Sequence, residues 1–92
     1  PLGMQVQDIT PELAQSLKLD TTEGVLVSDV TAGQPAAESG VRRGDVITEI
    51  DRSPVRNTGD YKRLTGNIRQ GRSALFLVRR GGSTIFIAVK VK

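Results

Sequence analysis

One stretch, residues 33–50 (GQPAAESGVRRGDVITEI), constrains the fold more than any other part of the chain. Pro35 suits the first turn of a helix, because the N–H that proline lacks would have no partner there. Gly40 can adopt the left-handed conformation that commonly ends a helix. Gly44 then marks a tight turn, and the apolar residues after it predict a buried strand over 46–50. The stretch therefore predicts a short helix, a sharp turn and a core strand in close succession.

The rest of the chain alternates short strand patterns with helix signals. Thr10 and Asn57 are good helix caps, and the glycine pair at 81–82 is a favoured two-residue hairpin turn. These signals predict strands over 4–8, 25–30, 73–78 and 84–89, a very short strand around Val55, and helices over 11–17 and 58–69. We expect a mainly β fold with helices (α+β), built from five or six strands and two or three helices.

Composition limits the chemistry. Ninety-two residues predict a single domain over 1–92, and the absence of Cys and His removes disulfides, thiolate nucleophiles, most zinc sites and every imidazole base. We therefore predict no metal, no cofactor and no catalytic residue, and we interpret Asp45 and Glu49 as surface charges and turn formers.

Partners of two kinds are also disfavoured. The net charge is only +3, and the basic residues fall in scattered short groups without aromatic stacking positions, so we predict a solvated surface and no nucleic acid. No apolar run is long enough to span a bilayer, which predicts no direct membrane insertion. The start lacks a secretory leader pattern, so we expect the targeting segment of any exported parent to lie outside this sequence.

The stretch at 33–50 resembles the central block of a PDZ domain of the bacterial HtrA/Do-like (DegP-type) serine proteases. Thr-Pro-Glu-Leu at 10–13 and the closing segment at 78–86 are most similar to the second, C-terminal PDZ domain of these proteases, and the resemblance spans residues 2–91. It implies a partly open antiparallel β-barrel or sandwich with the bacterial permuted strand order. The peptide-binding strand would come first and a hairpin strand last, and the location would be periplasmic.

The resemblance also implies a peptide site at the start of the chain. The family's carboxylate loop has the pattern hydrophobic-Gly-hydrophobic, found here at Leu2-Gly3-Met4, and a bound peptide would pair with the following strand through Gln5 and Val6. Backbone N–H groups of a glycine turn can converge on an anion. We expect Gly3 because a Cβ would obstruct the ligand, and Pro1, beside the loop, has no peptide N–H to offer.

The opposite wall would be the helix over 58–68. Tyr61, Thr65 and Ile68 recur at i, i+4 and i+7 and share a face, which Leu64 borders. Tyr61 would read the third residue from the peptide's end, with an apolar or mixed preference, and Gly66 would loosen this wall. The pocket for the terminal side chain would be formed by Leu2, Met4, Val6, Thr65 and Ile68. The alternative for Leu2, Val6, Tyr61 and Ile68 is ordinary core packing, and for Gly3 an unremarkable turn.

Two functions remain open. The first is a peptide-binding regulatory module that captures C-terminal or extended hydrophobic segments of unfolded proteins for a separate protease domain. The second is an assembly module that contacts other protease subunits or domains. The chain also fits a PDZ domain of another bacterial envelope protease or secretion protein, whereas a free-standing enzyme is rejected because a Ser-His-Asp site needs an imidazole.

Overall fold

Residues 2–91, the part of the chain that the computed structural model describes, form six strands and three helices. In chain order they are β1 (Met4–Asp8), α1 (Pro11–Ser16), β2 (Val25–Val30), α2 (Pro35–Ser39), β3 (Val46–Ile50), β4 (Ser53–Pro54), α3 (Thr58–Gly66), β5 (Ser73–Arg80) and β6 (Ser83–Lys90). No helix in this part is long and apolar enough to cross a membrane.

The strands form one antiparallel sheet in the order β1-β2-β3-β5-β6, with β4 added beside β3. β5 and β6 form a regular hairpin in which Arg80 pairs with Ser83 across the two-glycine turn. The first strand of the chain therefore lies at one end of the sheet and the last strand at the other. The predicted α+β fold of five or six antiparallel strands with two or three helices is confirmed.

The stretch at 33–50 folds as its sequence predicts. α2 begins at Pro35, and Gly40 ends it in the left-handed conformation with φ of 103°. The backbone N–H of Val41 donates to the carbonyl of Ala36 at 3.0 Å, and β3 begins at Val46. The compact helix-turn-strand unit places α2 against the start of the chain, where the Ala36 amide donates to the Leu2 carbonyl at 3.0 Å.

The prediction that Asp45 is a surface charge is wrong. The residue is only 1% exposed, and its two oxygens accept from Nε and an Nη of Arg80 at 2.8 and 2.7 Å. The backbone N–H of Arg42 donates to it as well, at 2.9 Å. The bonded carboxylate raises the pKa of the Arg80 guanidinium. A carboxylate with three donors can be buried at little net cost, which is why this charge lies inside.

The core is mainly aliphatic, with Phe76 as its largest fully buried side chain. Several element boundaries differ from prediction, including that of α1, which ends at Ser16 and not at residue 17. The very short strand is Ser53–Pro54, and Val55 lies buried just beyond it. α3 ends at Gly66, since a glycine followed by Asn67 is a poor continuation of a helix. The two hairpin strands are each longer than predicted.

Candidate functional site

A groove of about 760 Å³ lies between β1 and α3. Its floor is apolar and its rims carry uncharged polar groups and one cation. The lining residues are Leu2, Met4, Gln5, Val6, Gln7, Ser28, Tyr61, Lys62, Thr65, Gly66, Ile68 and Val91. An apolar cleft with a few polar groups at its edge is the usual form of a ligand site.

The two walls of the groove run in opposite directions. At one end the Asp8 carboxylate, at the close of β1, accepts from the backbone N–H of Thr58 at 2.8 Å, where α3 begins. At the other end Leu2 and Ile68 both line the groove, together with Val91. The hydrogen bond thus fixes the spacing of the walls at the Asp8 end, and the far end is closed by apolar side chains.

β1 offers a free edge to this groove. Met4 lies opposite Val30 in β2, and the preceding carbonyl, of Gly3, accepts from the Thr31 amide at 2.7 Å. This pattern makes Met4 and Val30 a non-hydrogen-bonded pair, so the N–H and C=O of Met4 point away from β2. A segment lying in the groove can therefore pair with the backbone of β1.

The Leu2-Gly3-Met4 loop turns its amides outward. The Leu2 carbonyl is held by α2 and the Gly3 carbonyl by Thr31. All peptide bonds of residues 2–91 are trans, so the N–H that follows each carbonyl points the opposite way. The amides of Gly3 and Met4 consequently face away from α2 and β2. Pro1 lies outside the described residues.

The structure gives a reason for glycine at position 3 that the sequence did not suggest. Its φ is 76°, and a Cβ built on it would overlap the Cβ of Gln34, the residue that caps α2. A side chain at Gly3 would therefore collide with the protein's own helix cap. The glycine lets the loop pack closely on α2; it lies between the lining residues Leu2 and Met4 but does not itself line the groove.

The α3 wall is built around Tyr61, which is 8% exposed and packs with the core. Burial raises the pKa of its phenol to about 12. Four residues on, the Thr65 hydroxyl donates to the Tyr61 carbonyl at 2.8 Å. That hydroxyl donor is satisfied within the helix, so Thr65 adds no free donor to the groove. Tyr61 and Thr65 on α3 form one largely apolar wall with Ile68, which lies in the turn just after the helix and whose amide bonds the Thr65 carbonyl at 3.2 Å.

The start of α3 is firmly capped. The Asn57 side chain accepts from the Asp60 amide at 2.9 Å, and the Asp60 carboxylate accepts from the Arg56 amide at 3.0 Å. That backbone bond is the main cause of a lowered pKa at Asp60, with side-chain bonds from Arg56 and Arg63 adding to it. The predicted helix cap at Asn57 is confirmed, and the Asp60 carboxylate bonds the amide one residue before that cap.

Leu64 is the one predicted wall residue that lies outside the groove. It packs against the core and lines a separate shallow depression with Ile50 and Arg69. Each helical residue turns by about 100°, so a residue three positions after Tyr61 is rotated toward the core side, while Thr65 stays in line. Leu2, Met4, Gln5, Val6, Tyr61, Thr65 and Ile68 all line the groove, as expected. Leu2 and Tyr61 also belong to the core, so the alternative of core packing holds for them as well.

Sequence reasoning missed four lining residues, namely Gln7, Ser28, Lys62 and Val91. Ser28 faces the groove because the β1–β2 register shifts between Gln5 and Val6, and its hydroxyl donates to the Gln5 carbonyl at 3.2 Å. No pattern in the sequence signals that bulge. The position of Lys62 on the groove could have been predicted, because it follows Tyr61 directly and lies one helical turn before Gly66, and both of these residues line the groove.

Among residues 2–91 there is no group of three or more acidic or imidazole or thiol side chains placed to hold a metal ion. The groove chemistry is instead that of backbone amides, apolar side chains and a single cationic side chain. A free strand edge beside apolar pockets is the arrangement by which known sites take up an extended peptide as an added strand.

The chain is similar in sequence to a known protein family and to several known proteins. The family description "PDZ domain" matches residues 1–91. The chain is similar to probable periplasmic serine endoproteases DegP-like from Rhizobium meliloti (strain 1021), 32% identical, and from Pseudomonas savastanoi pv. phaseolicola (strain 1448A / Race 6), 36% identical. Both alignments cover 98% of this chain but only 18% and 19% of the relatives. The chain thus spans about a fifth of the length of the curated relatives it matches.

Solved structures give the same fold. The chain is similar to the HtrA-type protease AlgW with decapeptide, at a TM-score of 0.87 and 33% identity, covering 98% of this chain and 28% of that one. The HtrA3 PDZ domain bound to a phage-derived ligand gives a TM-score of 0.84 at 21% identity, covering 98% of this chain and 82% of that one. At that identity the second comparison supports the fold alone.

Proposed function

The chain belongs to the PDZ domain family, and on that premise we propose that it is one regulatory domain of a periplasmic HtrA/Do-like serine protease, where it captures protein chain ends. The main support for this proposal is the free edge of β1, which faces the groove opposite the apolar wall of α3. The similarity to DegP-like periplasmic relatives and to a protease solved with a decapeptide supports the assignment.

The carboxylate of the captured chain end binds at the Leu2-Gly3-Met4 loop. The amides of Gly3 and Met4 face away from the elements that hold their carbonyls, so they are free to donate to an anion. The ligand backbone then pairs with β1 as an added antiparallel strand. The ligands are the C-terminal or extended hydrophobic segments of unfolded proteins, and cleavage belongs to a protease domain elsewhere in the parent protein.

Specificity comes from the pocket at the Leu2 end of the groove. The last side chain of the ligand packs among Leu2, Ile68 and Val91, and the third residue from the end lies against Tyr61. One buried apolar side chain contributes about 2–3 kcal/mol, and each charge-assisted bond about 1.5–3 kcal/mol. Association and ordering of the peptide cost about 4–15 kcal/mol. Affinities of about micromolar or weaker follow, which suits a tethered domain.

A titration with two forms of one peptide tests this proposal. Gly-Ser-Gly-Val-Ala-Val with a free C-terminal carboxylate is compared with the same peptide amidated. Tyr61 is the single tyrosine of a chain without tryptophan, so its fluorescence reports binding without a label. We expect the free carboxylate to bind at least about tenfold more tightly, since the amide loses one or more charge-assisted bonds.

Two variants complete the design. Ile68→Ser removes an apolar group from the terminal pocket and should weaken binding, whereas Phe86→Ser should not, because Phe86 is 64% exposed on β6 and does not line the groove. Equal binding of the two peptide forms, or equal effects of the two variants, would contradict the proposed function.

A further inference from the structure

Lys62 is the one charged residue that lines the groove in the described part of the chain. We propose, as an extension of the proposed function, that the groove prefers chain ends with an acidic side chain at the fourth residue from the end. Lys62 attracts that side chain from the α3 rim.

The cation is available for such a contact. Its neighbour Arg63 pairs with Asp60 at 3.3 Å, and Arg56 bonds the other oxygen of Asp60 at 3.2 Å. Lys62 makes no ion pair within residues 2–91, and its side chain is exposed. The positive charge at the groove rim is therefore uncompensated by the protein itself.

The rim around Lys62 is open. Gly66 lies four positions further along the same side of α3, and a Cβ built there would meet nothing within 4 Å. The facing rim carries Gln5, Gln7 and Ser28, which are uncharged. At the end of that rim, the Asp8 carboxylate is engaged with the Thr58 amide. No carboxylate lines the groove in residues 2–91, so an acidic ligand side chain there meets one cation and no acidic lining residue.

The position of the preferred residue follows from lengths. Lys62 precedes Ile68 by six positions, the last two in the turn after α3, where the Ile68 amide still bonds the Thr65 carbonyl at 3.2 Å. The rise along the helix axis is therefore about 9 Å. A strand advances about 3.3 Å per residue, so that distance spans about three residues. If the last residue packs beside Ile68, the neighbours Tyr61 and Lys62 both lie level with the third and fourth residues from the end. Side chains of a strand alternate in direction. The last and third-from-last side chains of the ligand therefore point into the groove, and the fourth from the end points to the rim of the groove that carries Lys62.

Three peptides that differ at one position test the inference. They are Gly-Ser-Xaa-Val-Ala-Val with free C-terminal carboxylates and Glu, Gln or Lys at Xaa, titrated at low and at high salt. The full chain is compared with Lys62→Glu and Lys62→Gln. Arg43→Glu serves as the control, since it makes the same change in net charge at an exposed turn residue outside the groove.

The unmodified chain should bind the Glu peptide about two- to tenfold more tightly than the Lys peptide, with Gln between them. Lys62→Glu should reverse that order, Lys62→Gln should remove it, and Arg43→Glu should keep it. High salt should shrink the preference. If all three peptides bind the unmodified chain alike, the preference is overturned while the proposed function stands. If none of them binds, both are overturned. A preference that Arg43→Glu removes as well would also contradict a role for Lys62.

Discussion

The carboxylate of Asp8 accepts a hydrogen bond from the backbone N–H of Thr58 at 2.8 Å, across fifty positions of sequence. This bond connects the end of the edge strand β1 to the first turn of α3, the two elements that form the groove. It leaves the opposite end, at the Leu2-Gly3-Met4 loop, to be held by α2 and β2. The groove is thus fixed independently at its two ends.

Asp8→Ala removes the acceptor at the Thr58 end. We expect the free energy of unfolding to fall by about 1 kcal/mol, the usual effect of losing a side-chain acceptor at a helix start. Peptide affinity should fall as well, because the spacing of β1 and α3 is no longer fixed there. Urea unfolding and peptide titration measure the two effects. Asp8→Asn keeps an acceptor oxygen and should retain most of both, so equal losses in the two variants would contradict this role.

Gly3→Ala tests the packing of the loop on α2. The new methyl group must occupy the space of the Gln34 Cβ at a φ of 76°, so we expect a loss of about 1–3 kcal/mol in stability and a larger loss in peptide affinity. Gln34→Gly opens that space and leaves only the backbone strain. In the Gln34→Gly variant, Gly3→Ala should therefore lower the free energy of unfolding by less than it does in the unmodified chain. An identical cost in both backgrounds, measured by urea unfolding, would show that Gln34 is not the obstacle.

Arg80→Ala leaves the buried Asp45 carboxylate without its charged partner. Breaking a buried ion pair from one side costs about 3–5 kcal/mol, so we expect a severe loss of stability. The matched control is Asp20→Ala, which breaks the exposed contact between Asp20 and Arg79 at 3.8 Å and should change stability by less than about 0.5 kcal/mol. Similar effects of the two substitutions on the urea midpoint would contradict the structural role of the Asp45–Arg80 pair.

The pH dependence of Tyr61 reports its burial in the groove wall. Its phenol should ionise near pH 12 in the folded chain, against an ordinary pKa of 10.0, because burial disfavours the charged phenolate. A pKa raised by folding means that the neutral phenol's contribution to stability is complete below pH 10 and is lost as the pH rises toward 12. Phenolate absorbance of the single tyrosine measures this directly in folded and in urea-unfolded protein. A midpoint near 10 in the folded chain would place Tyr61 in solvent instead.

Local signals predicted much of this molecule. Pro35, Gly40 and Asn57 act at helix ends through backbone geometry and short-range bonds, so their effects can be predicted from neighbouring residues alone. The apolar wall of Tyr61 and Thr65 follows from helical spacing for the same reason.

Long-range pairing was not predictable in the same way. Asp45 looks like a turn residue until Arg80 is brought to it by the sheet, and Ser28 faces the groove only because of a bulge between β1 and β2. The role of Gly3 depends on Gln34, which the loop meets through tertiary packing. Each of these required contacts between residues distant in sequence.

Intermolecular nuclear Overhauser contacts between the isotope-labelled chain and Gly-Ser-Glu-Val-Ala-Val test the central claim most directly. The account predicts contacts from the peptide backbone to Met4 and Val6 in antiparallel register, with the terminal valine beside Leu2 and Ile68. Contacts confined to the outer face of the hairpin around Phe86, or a terminal valine at the Asp8 end of the groove, would contradict it.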